Sequence, residues 1–361
     1  MLNDTAIRWT SKTWNVFSGC QKVSAGCKHC YAETIATKWE GGKAFPNGFD
    51  FTWREHKLTD VSKLKEPQLI FVNSMSDLFW EKVFEFESKR WELRDRIVDV
   101  IEANPKHEFQ VLTKRPELML EYSKYRRLPS NLWAGVSVEN QEFADKRLPV
   151  LLEVEAEIRW ISLEPILGAV DLKPYVSGRD NSIGGNGISW VVFGGESGGH
   201  LKKPDVCESR GLVQLSGKRW LPREDRIDWA RDVRDACVGN GVKFFFKQWG
   251  GTVPKSGGKL LDGVAWEEYP RLPIAVETKQ MEVTNMGKAK NGSEAALKAW
   301  ETKRANGYVH KPKKAGTVAV ASSSNTDVDG LIEAALRKEF ESKLPGLIAE
   351  RRAAVLAAIK G

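Results

Sequence analysis

Short apolar runs of four to six residues recur through the first 272 positions, and each stops abruptly at a polar or glycine-rich motif. They lie in PQLIFVNSMSD from Pro67, HEFQVLTKRP from His107, NLWAGVSVEN from Asn131, IRWISLEP from Ile158, ISWVVFGGESGG from Ile188 and VKFFFKQWGG from Val242. Runs this short, rich in Val, Ile, Phe, Leu and Trp, predict strands buried on both faces. Helical patterns lie between most of them. In DRIDWARDVRDACVGNG, residues Ile227, Ala230, Val233 and Cys237 recur at helical spacing, with Gly239 and Gly241 as stop signals. FESKRWELRDRIVDVIEAN reads as a second helix. With TWNVF as a first strand, about seven strand–helix units fit, and alternation of this kind implies a parallel sheet with right-handed crossovers. The expected fold is α/β: a full or partial TIM-like barrel of about 6–8 parallel strands, with an open doubly wound sheet as the second architecture.

Polar residues follow each apolar run directly. They are Asn73, Ser74, Ser76 and Asp77; Thr113, Lys114 and Arg115; Ser137, Glu139 and Asn140; Ser162 and Glu164; Glu196 and Ser197; Lys247 and Gln248. Carboxyl ends of parallel strands share one face of a barrel, where active sites are built. One polar strand end means little, since loops are polar. Six in series predict a common site.

Charge separates the remainder of the chain from this domain. Residues 273–361 contain 15 Lys and Arg against 10 Asp and Glu, so they supply +5 of the net +7. The expected organisation is a barrel domain over 1–272, a basic linker or arm over 273–330 and a helical segment over 331–361. Trp300 and Tyr308 among the cations of the arm suit nucleic acid, while a solvated tail or an oligomerisation helix is the plainer alternative. No apolar run reaches the roughly 18 residues that span a bilayer, and the start of the chain does not read as a signal peptide. The expected setting is reducing and cytoplasmic, without a membrane.

Cysteine usage introduces chemistry. Cys20, Cys27 and Cys30 stand close together in TWNVFSGCQKVSAGCKHCYAE, whereas Cys207 and Cys237 sit in ordinary contexts and read as structural thiols. Structural zinc normally takes four protein ligands. Here the fourth would have to be His29, badly placed inside the C-x2-C turn, or the distant His56. A redox dithiol needs no third cysteine. Three thiolates fit a [4Fe–4S] cluster with one iron left open. Radical S-adenosylmethionine enzymes use such an iron: the cofactor's amino and carboxylate groups chelate it, and its reductive cleavage generates a 5′-deoxyadenosyl radical. The five histidines offer no convincing nucleophile–base pair for a hydrolytic triad.

The cysteine run, with FVNSMSDLF, HEFQVLTKRP, NLWAGVSVEN, WISLEPILG, WVVFGGESG and FFFKQWGG, closely resembles a phage and bacterial family of three-cysteine-motif proteins of unknown function, regarded as radical S-adenosylmethionine-like. The resemblance covers roughly residues 5–270. The usual signature is C-x3-C-x2-C with an aromatic before the last cysteine; here the first gap is six residues, His29 takes the aromatic place and Tyr31 follows. What the resemblance implies is specific. Cys20, Cys27 and Cys30 would ligate the cluster. Asn73, Ser74, Ser76 and Asp77 would meet the methionine amino group, and Arg115, Ser137 and Glu139 the carboxylate and ribose. Lys114, Glu164, Glu196 and Lys247 would be catalytic or face the substrate, with Gln248 and Trp249 closing the site. The glycines of Gly194-Gly195-Glu196-Ser197 suggest a tight turn with close backbone approach.

The expected activity is radical modification or isomerisation of a nucleobase, or of a substituent on one, in phage DNA. It needs an external reductant and is open to a partner protein. Two alternatives stay open: radical chemistry on a small molecule or protein, and a non-catalytic zinc-stabilised module associated with nucleic acid.

Overall fold

The computed structural model describes residues 2–272, so the expected arm (273–330) and terminal helical segment (331–361) lie outside the described residues. Seven parallel strands form the sheet: β1 (Lys12–Trp14), β2 (Leu69–Val72), β3 (Glu108–Thr113), β4 (Leu132–Ser137), β5 (Ile158–Leu163), β6 (Trp190–Gly194) and β7 (Lys243–Gln248). Each pairs with the next in sequence, and Asn3–Asp4 adds an antiparallel pair at the β1 edge. A doubly wound sheet reverses its strand order at a switch point. No reversal occurs here, which excludes that architecture and leaves a curled half-barrel, open between β1 and β7. The stretch TWNVF is divided in two. Only Lys12–Trp14 joins the sheet, while Phe17–Ser18 pairs antiparallel with Thr52–Trp53.

Seven helices connect the strands: α1 (Tyr31–Lys38), α2 (Glu92–Glu102), α3 (Pro116–Tyr125), α4 (Gln141–Glu153), α5 (Lys173–Val176), α6 (Pro204–Arg210) and α7 (Ile227–Gly239). As the periodicity predicts, α7 buries Ala230, Val233 and Cys237. The segment before β3 is less regular than its pattern: a 3-10 turn over Glu81–Phe86 precedes α2. Asn140, one of the polar strand-end residues, caps α4 by accepting a hydrogen bond from the Phe143 amide at 3.1 Å.

Alternation along each strand assigns the two faces of the sheet. Ile70, Val72, Val111, Ala134, Ile161, Val191 and Phe244 join Ile97, Leu148 and Val233 of the helices in the larger core. Residues one step out of phase form a second, helix-free core: Leu69, Phe71, Trp133, Ile158, Trp160, Trp190, Val192 and Phe245, with Trp9 added from the amino-terminal segment. Four tryptophans thus fill the concave face. Trp9 meets Phe71 and Trp160 edge-on at centroid distances of 4.8 and 5.3 Å, a favourable arrangement for rings with opposed edge and face potentials. The Trp160 indole donates to the Val111 carbonyl at 3.1 Å, so its one polar atom is satisfied.

Gly135 makes room for that ring. A Cβ at this position would stand 2.2 Å from Trp160 Nε1, an overlap that neither the fully buried indole nor the paired strand can relieve. Gly135→Ala is therefore expected to destabilise the fold by about 3 kcal/mol or more, at the upper end for overpacked cores. Thermal denaturation checks this, and an unchanged midpoint would show that the indole has room to move.

The open side of the curl is closed by a seam between the two ends of the described chain. Arg8 pairs with Glu267, and the Tyr269 hydroxyl donates to the Arg8 carbonyl at 3.3 Å. Arg271 reaches Glu108 at 2.8 Å, Glu157 at 3.3 Å and the Ser130 carbonyl at 2.6 Å, all beside the amino ends of β3, β4 and β5. Among the described residues, no helix is long and apolar enough to cross a membrane.

Candidate functional site

At the carboxyl ends of the strands, the alternation that supplies tryptophans below supplies polar groups above. Asn73 follows Leu69 and Phe71 in phase, Ser137 follows Trp133 and Gly135, Ser162 and Glu164 follow Ile158 and Trp160, and Lys247 follows Phe245. The loop carrying Cys20, Cys27 and Cys30 leaves β1 and is bound by groups from several of these ends. All three thiols are free and half-buried.

Arg115, after β3, is the first clamp. Its guanidinium donates to the Gln21 carbonyl at 3.1 Å and lies 3.8 Å from Cys20 Sγ, while it pairs with Asp77 at 3.1 Å and Glu81 at 2.6 Å. Asp77, after β2, holds that arginine. Its carboxylate also accepts from the Thr113 hydroxyl at 2.7 Å, the Lys114 amide at 3.0 Å and the Phe79 amide at 2.9 Å. A second clamp comes from β4: Glu139, paired with Arg147 at 2.8 Å, accepts from the Gly26 amide at 3.4 Å. The third comes from beyond β6. Glu196 holds Arg210 through two hydrogen bonds of 2.6 and 2.7 Å, and Arg210 donates to the Ala25 carbonyl at 3.1 Å. Buried two-point pairs of this kind fix both position and orientation.

The remaining residues expected near the cofactor brace the same loop. Asn73, at φ +55°, accepts from the Val16 amide at 3.0 Å. Ser76 donates to the Phe17 carbonyl at 3.2 Å, and Ser74 donates to Asn15 Oδ1 at 3.2 Å. Ser137 is buried, and its carbonyl accepts from Arg147 at 2.7 Å. An irregular loop buried at a sheet end needs partners for its backbone polar groups, and these side chains supply them. The side chains of Asn73, Ser74, Ser76, Asp77, Arg115 and Glu139 are thus already engaged within the protein.

Two cationic groups are placed differently. Lys114 acts on Cys27 and has no ion-pair partner among the described residues. Burial alone would raise the Cys27 thiol, but Lys114 together with hydrogen bonds from Val23 and Ser24 outweighs it, and the net shift is downward. Cys20 responds oppositely. Burial and the Asp77 charge push it up to about 12 despite Arg115. Lys247 pairs with Glu164 at 2.6 Å across β6, and Glu164 also accepts from the Trp9 indole at 2.8 Å. The register slips between Phe246 and Gln248, a bulge that re-aims Lys247. Gly194 lies between the pair on β6, where a Cβ would stand 2.8 Å from Glu164 Oε1. The glycine leaves the space that the ion pair spans.

Gly195 meets the close approach expected of its turn: a Cβ there would lie 2.1 Å from the Trp249 carbonyl. Gln248 donates to the Ser197 hydroxyl at 2.7 Å and closes that turn. Trp249 itself turns into the helix-covered core and donates to the Leu260 carbonyl at 2.9 Å. Tyr31 exposes its ring but donates its hydroxyl to the Ser74 carbonyl at 2.5 Å; burial of the phenol, with Cys30 and Glu164 nearby, holds its pKa up.

His29 has another histidine for a neighbour. Its ring stacks on His200 at 3.9 Å with the planes 7° apart, on the side of Glu196. Cys207 donates to the Val213 carbonyl at 3.2 Å, and Cys237 lies on the buried face of α7. Among the described residues, no three His, Cys, Asp or Glu side chains are gathered tightly enough to hold a single ion. Pattern reading missed Arg147, Arg210 and Trp9. They lie on helices or outside the strands, far in sequence from the groups they hold, and nothing periodic marks them.

A protein-family model described as Protein of unknown function (DUF5131) matches residues 4–209 and 216–270. No curated protein matches the chain. Two solved structures of spore photoproduct lyase, both single-residue variants, are 12% and 13% identical to it. Each covers 68% of this chain and 78% of its own, with a TM-score of 0.44.

Proposed function

We propose that this chain, which belongs to the DUF5131 family of proteins of unknown function, is a radical S-adenosylmethionine enzyme acting on a nucleobase of DNA. The observation that carries the reading is the cysteine loop: three free thiols, clamped at the strand ends by Arg115, Glu139 and Arg210, with His29 of the same loop stacked on His200. Three thiolates suit a [4Fe–4S] cluster with one open iron better than a closed tetrahedral ion. With S-adenosylmethionine bound, such a cluster supplies, on one-electron reduction, a 5′-deoxyadenosyl radical able to take hydrogen from an unactivated carbon.

The chain's own residues have definite parts in this reading. Cys20, Cys27 and Cys30 would hold the cluster. Lys114 favours the thiolate of Cys27 and, having no ion-pair partner among the described residues, is available to a methionine carboxylate. Asp77, Glu139 and Glu196 act through Arg115, the Gly26 amide and Arg210 to fix the loop. Glu164 and Lys247 form the polar pair left at the opening above the tryptophans, and we assign them to the substrate. The nucleobase is supported by the basic balance of the chain and by its phage-type resemblance, and an isomerisation within a hypermodified pyrimidine is the reaction we propose on it.

Anaerobic reconstitution with iron and sulfide tests the reading. The expected result is about four irons per chain, a broad visible absorption band, and 5′-deoxyadenosine release after reduction with S-adenosylmethionine. Colourless protein with one zinc per chain and no release would establish the binding-module alternative.

A further inference from the structure

Between α6 and α7 the chain leaves the body as a two-stranded ribbon, Val213–Ser216 paired with Arg219–Pro222 around Gly217-Lys218. Gly217 sits at φ +61°, as a tight two-residue connection requires. The ribbon pairs with no other strand among the described residues. An isolated hairpin of this size is marginal in water, so its display needs a reason. Its surface is unusual in two ways. From Ser209 to Arg223 there are four cations and no acid, and Lys218 and Arg219 at the tip are exposed, with no ion-pair partner among the described residues. Leu215 and Leu221 are 58% and 40% exposed beside them.

The ribbon's root belongs to the candidate site. Arg210, which ties Glu196 to the cysteine loop, ends the helix that leads into it, and Cys207 on that helix donates to the Val213 carbonyl. Trp220 packs against Gly251, whose amide donates to the Glu196 carbonyl at 3.1 Å. A ligand held at the tip is therefore about 13 Å, the length of a four-residue strand, from groups that fix the cysteine loop.

We propose that this hairpin grips duplex DNA by its major groove, beside the site that acts on the base. A two-stranded ribbon fits the roughly 12 Å width of that groove. Lys218 and Arg219 meet phosphates, and Leu221, which shares a face with Gln214 and Arg219 while Trp220 on the other face packs towards the body, meets apolar base edges. Chemistry on a base requires it to leave the stack, and a grip next to the opening holds the flanking duplex while it does. The inference rests on the nucleobase reading above, but binding needs neither reductant nor S-adenosylmethionine, so the two fail separately.

The test is fluorescence anisotropy of a short labelled DNA duplex against the full reconstituted chain, titrated over a range of salt without reductant. K218E/R219E should lower the slope of log affinity against log salt by about two units, one per lost phosphate contact. K124E/R127E carries the same charge change on exposed residues near the amino end of β4, and should leave the slope as it is. An A-form RNA duplex, whose deep and narrow major groove excludes side chains, should bind more weakly. Equal slopes for both variants would reduce the effect to overall charge and overturn the grip. Competition by polyglutamate as effective as by unlabelled DNA would replace duplex with an acidic protein partner and overturn it too.

Discussion

Cys27→Ala protein, reconstituted anaerobically beside the parent chain, is expected to lose the visible absorption band and to release 5′-deoxyadenosine no faster than a protein-free blank. The fold favours Cys27 as a thiolate and disfavours Cys20 as one. Lys114 and hydrogen bonds from Val23 and Ser24 overcome the cost of burying its charge, whereas burial and Asp77 oppose ionisation of Cys20. Removing Cys27 should therefore take away the ligand whose charge the fold favours over that of Cys20. Cys207→Ala is the appropriate control, because that thiol only donates to the Val213 carbonyl. Its iron content should equal that of the parent. A Cys27→Ala chain that still released 5′-deoxyadenosine would remove Cys27 from the ligand set and the proposed chemistry with it.

Arg115→Met should be damaging for a different reason. The guanidinium is the counter-charge of Asp77, and both are buried. Truncation leaves that carboxylate with neutral donors only, and breaking one side of a buried pair typically costs about 3–5 kcal/mol. At about 2–4 °C per kcal/mol for a domain of this size, the melting midpoint should fall by on the order of 10 °C. Stability alone does not identify a clamp. The distinguishing measurement is made well below the midpoint: iron retained after gel filtration should drop, because the Gln21 carbonyl and the Cys20 side of the loop lose their donor. Asp77→Asn in the Arg115→Met background should restore most of the stability but not the iron. If it restored both, Arg115 would be a structural residue with no special bearing on the loop.

Why the fold was legible, and the site only in part, follows from how each signal is written in the chain. Strands buried on both faces appear as unbroken apolar runs, so the residues of β2 to β7 stand out without any knowledge of their neighbours. Intervening helices imply parallel strands, but whether the order is sequential or reverses at a switch point shows only in the folded sheet. The first strand was harder, because Phe17 in TWNVF is as apolar as Trp14 yet belongs to a separate ribbon with Trp53. Polar strand ends were visible as positions. Their partners were not. Asp77 reads in sequence like a free carboxylate after a strand, and only the folded chain brings Thr113, Lys114 and Arg115 to it. Arg210 is an ordinary cation near the end of a short helix until Glu196 and Ala25 meet it. Long-range pairing leaves no periodic trace, so a sequence shows which residues reach the site and not which of them stay free once there.

The seam at Arg271 lies at the far end of the sheet from the thiols. That residue is held at the Glu108, Ser130 and Glu157 end, and a six-residue strand between it and the cysteine loop is about 20 Å long. Its side chain can therefore be removed without disturbing any group that touches the loop. A change in melting behaviour on Arg271→Ala would report how firmly the curl is shut, independently of whatever the thiols hold.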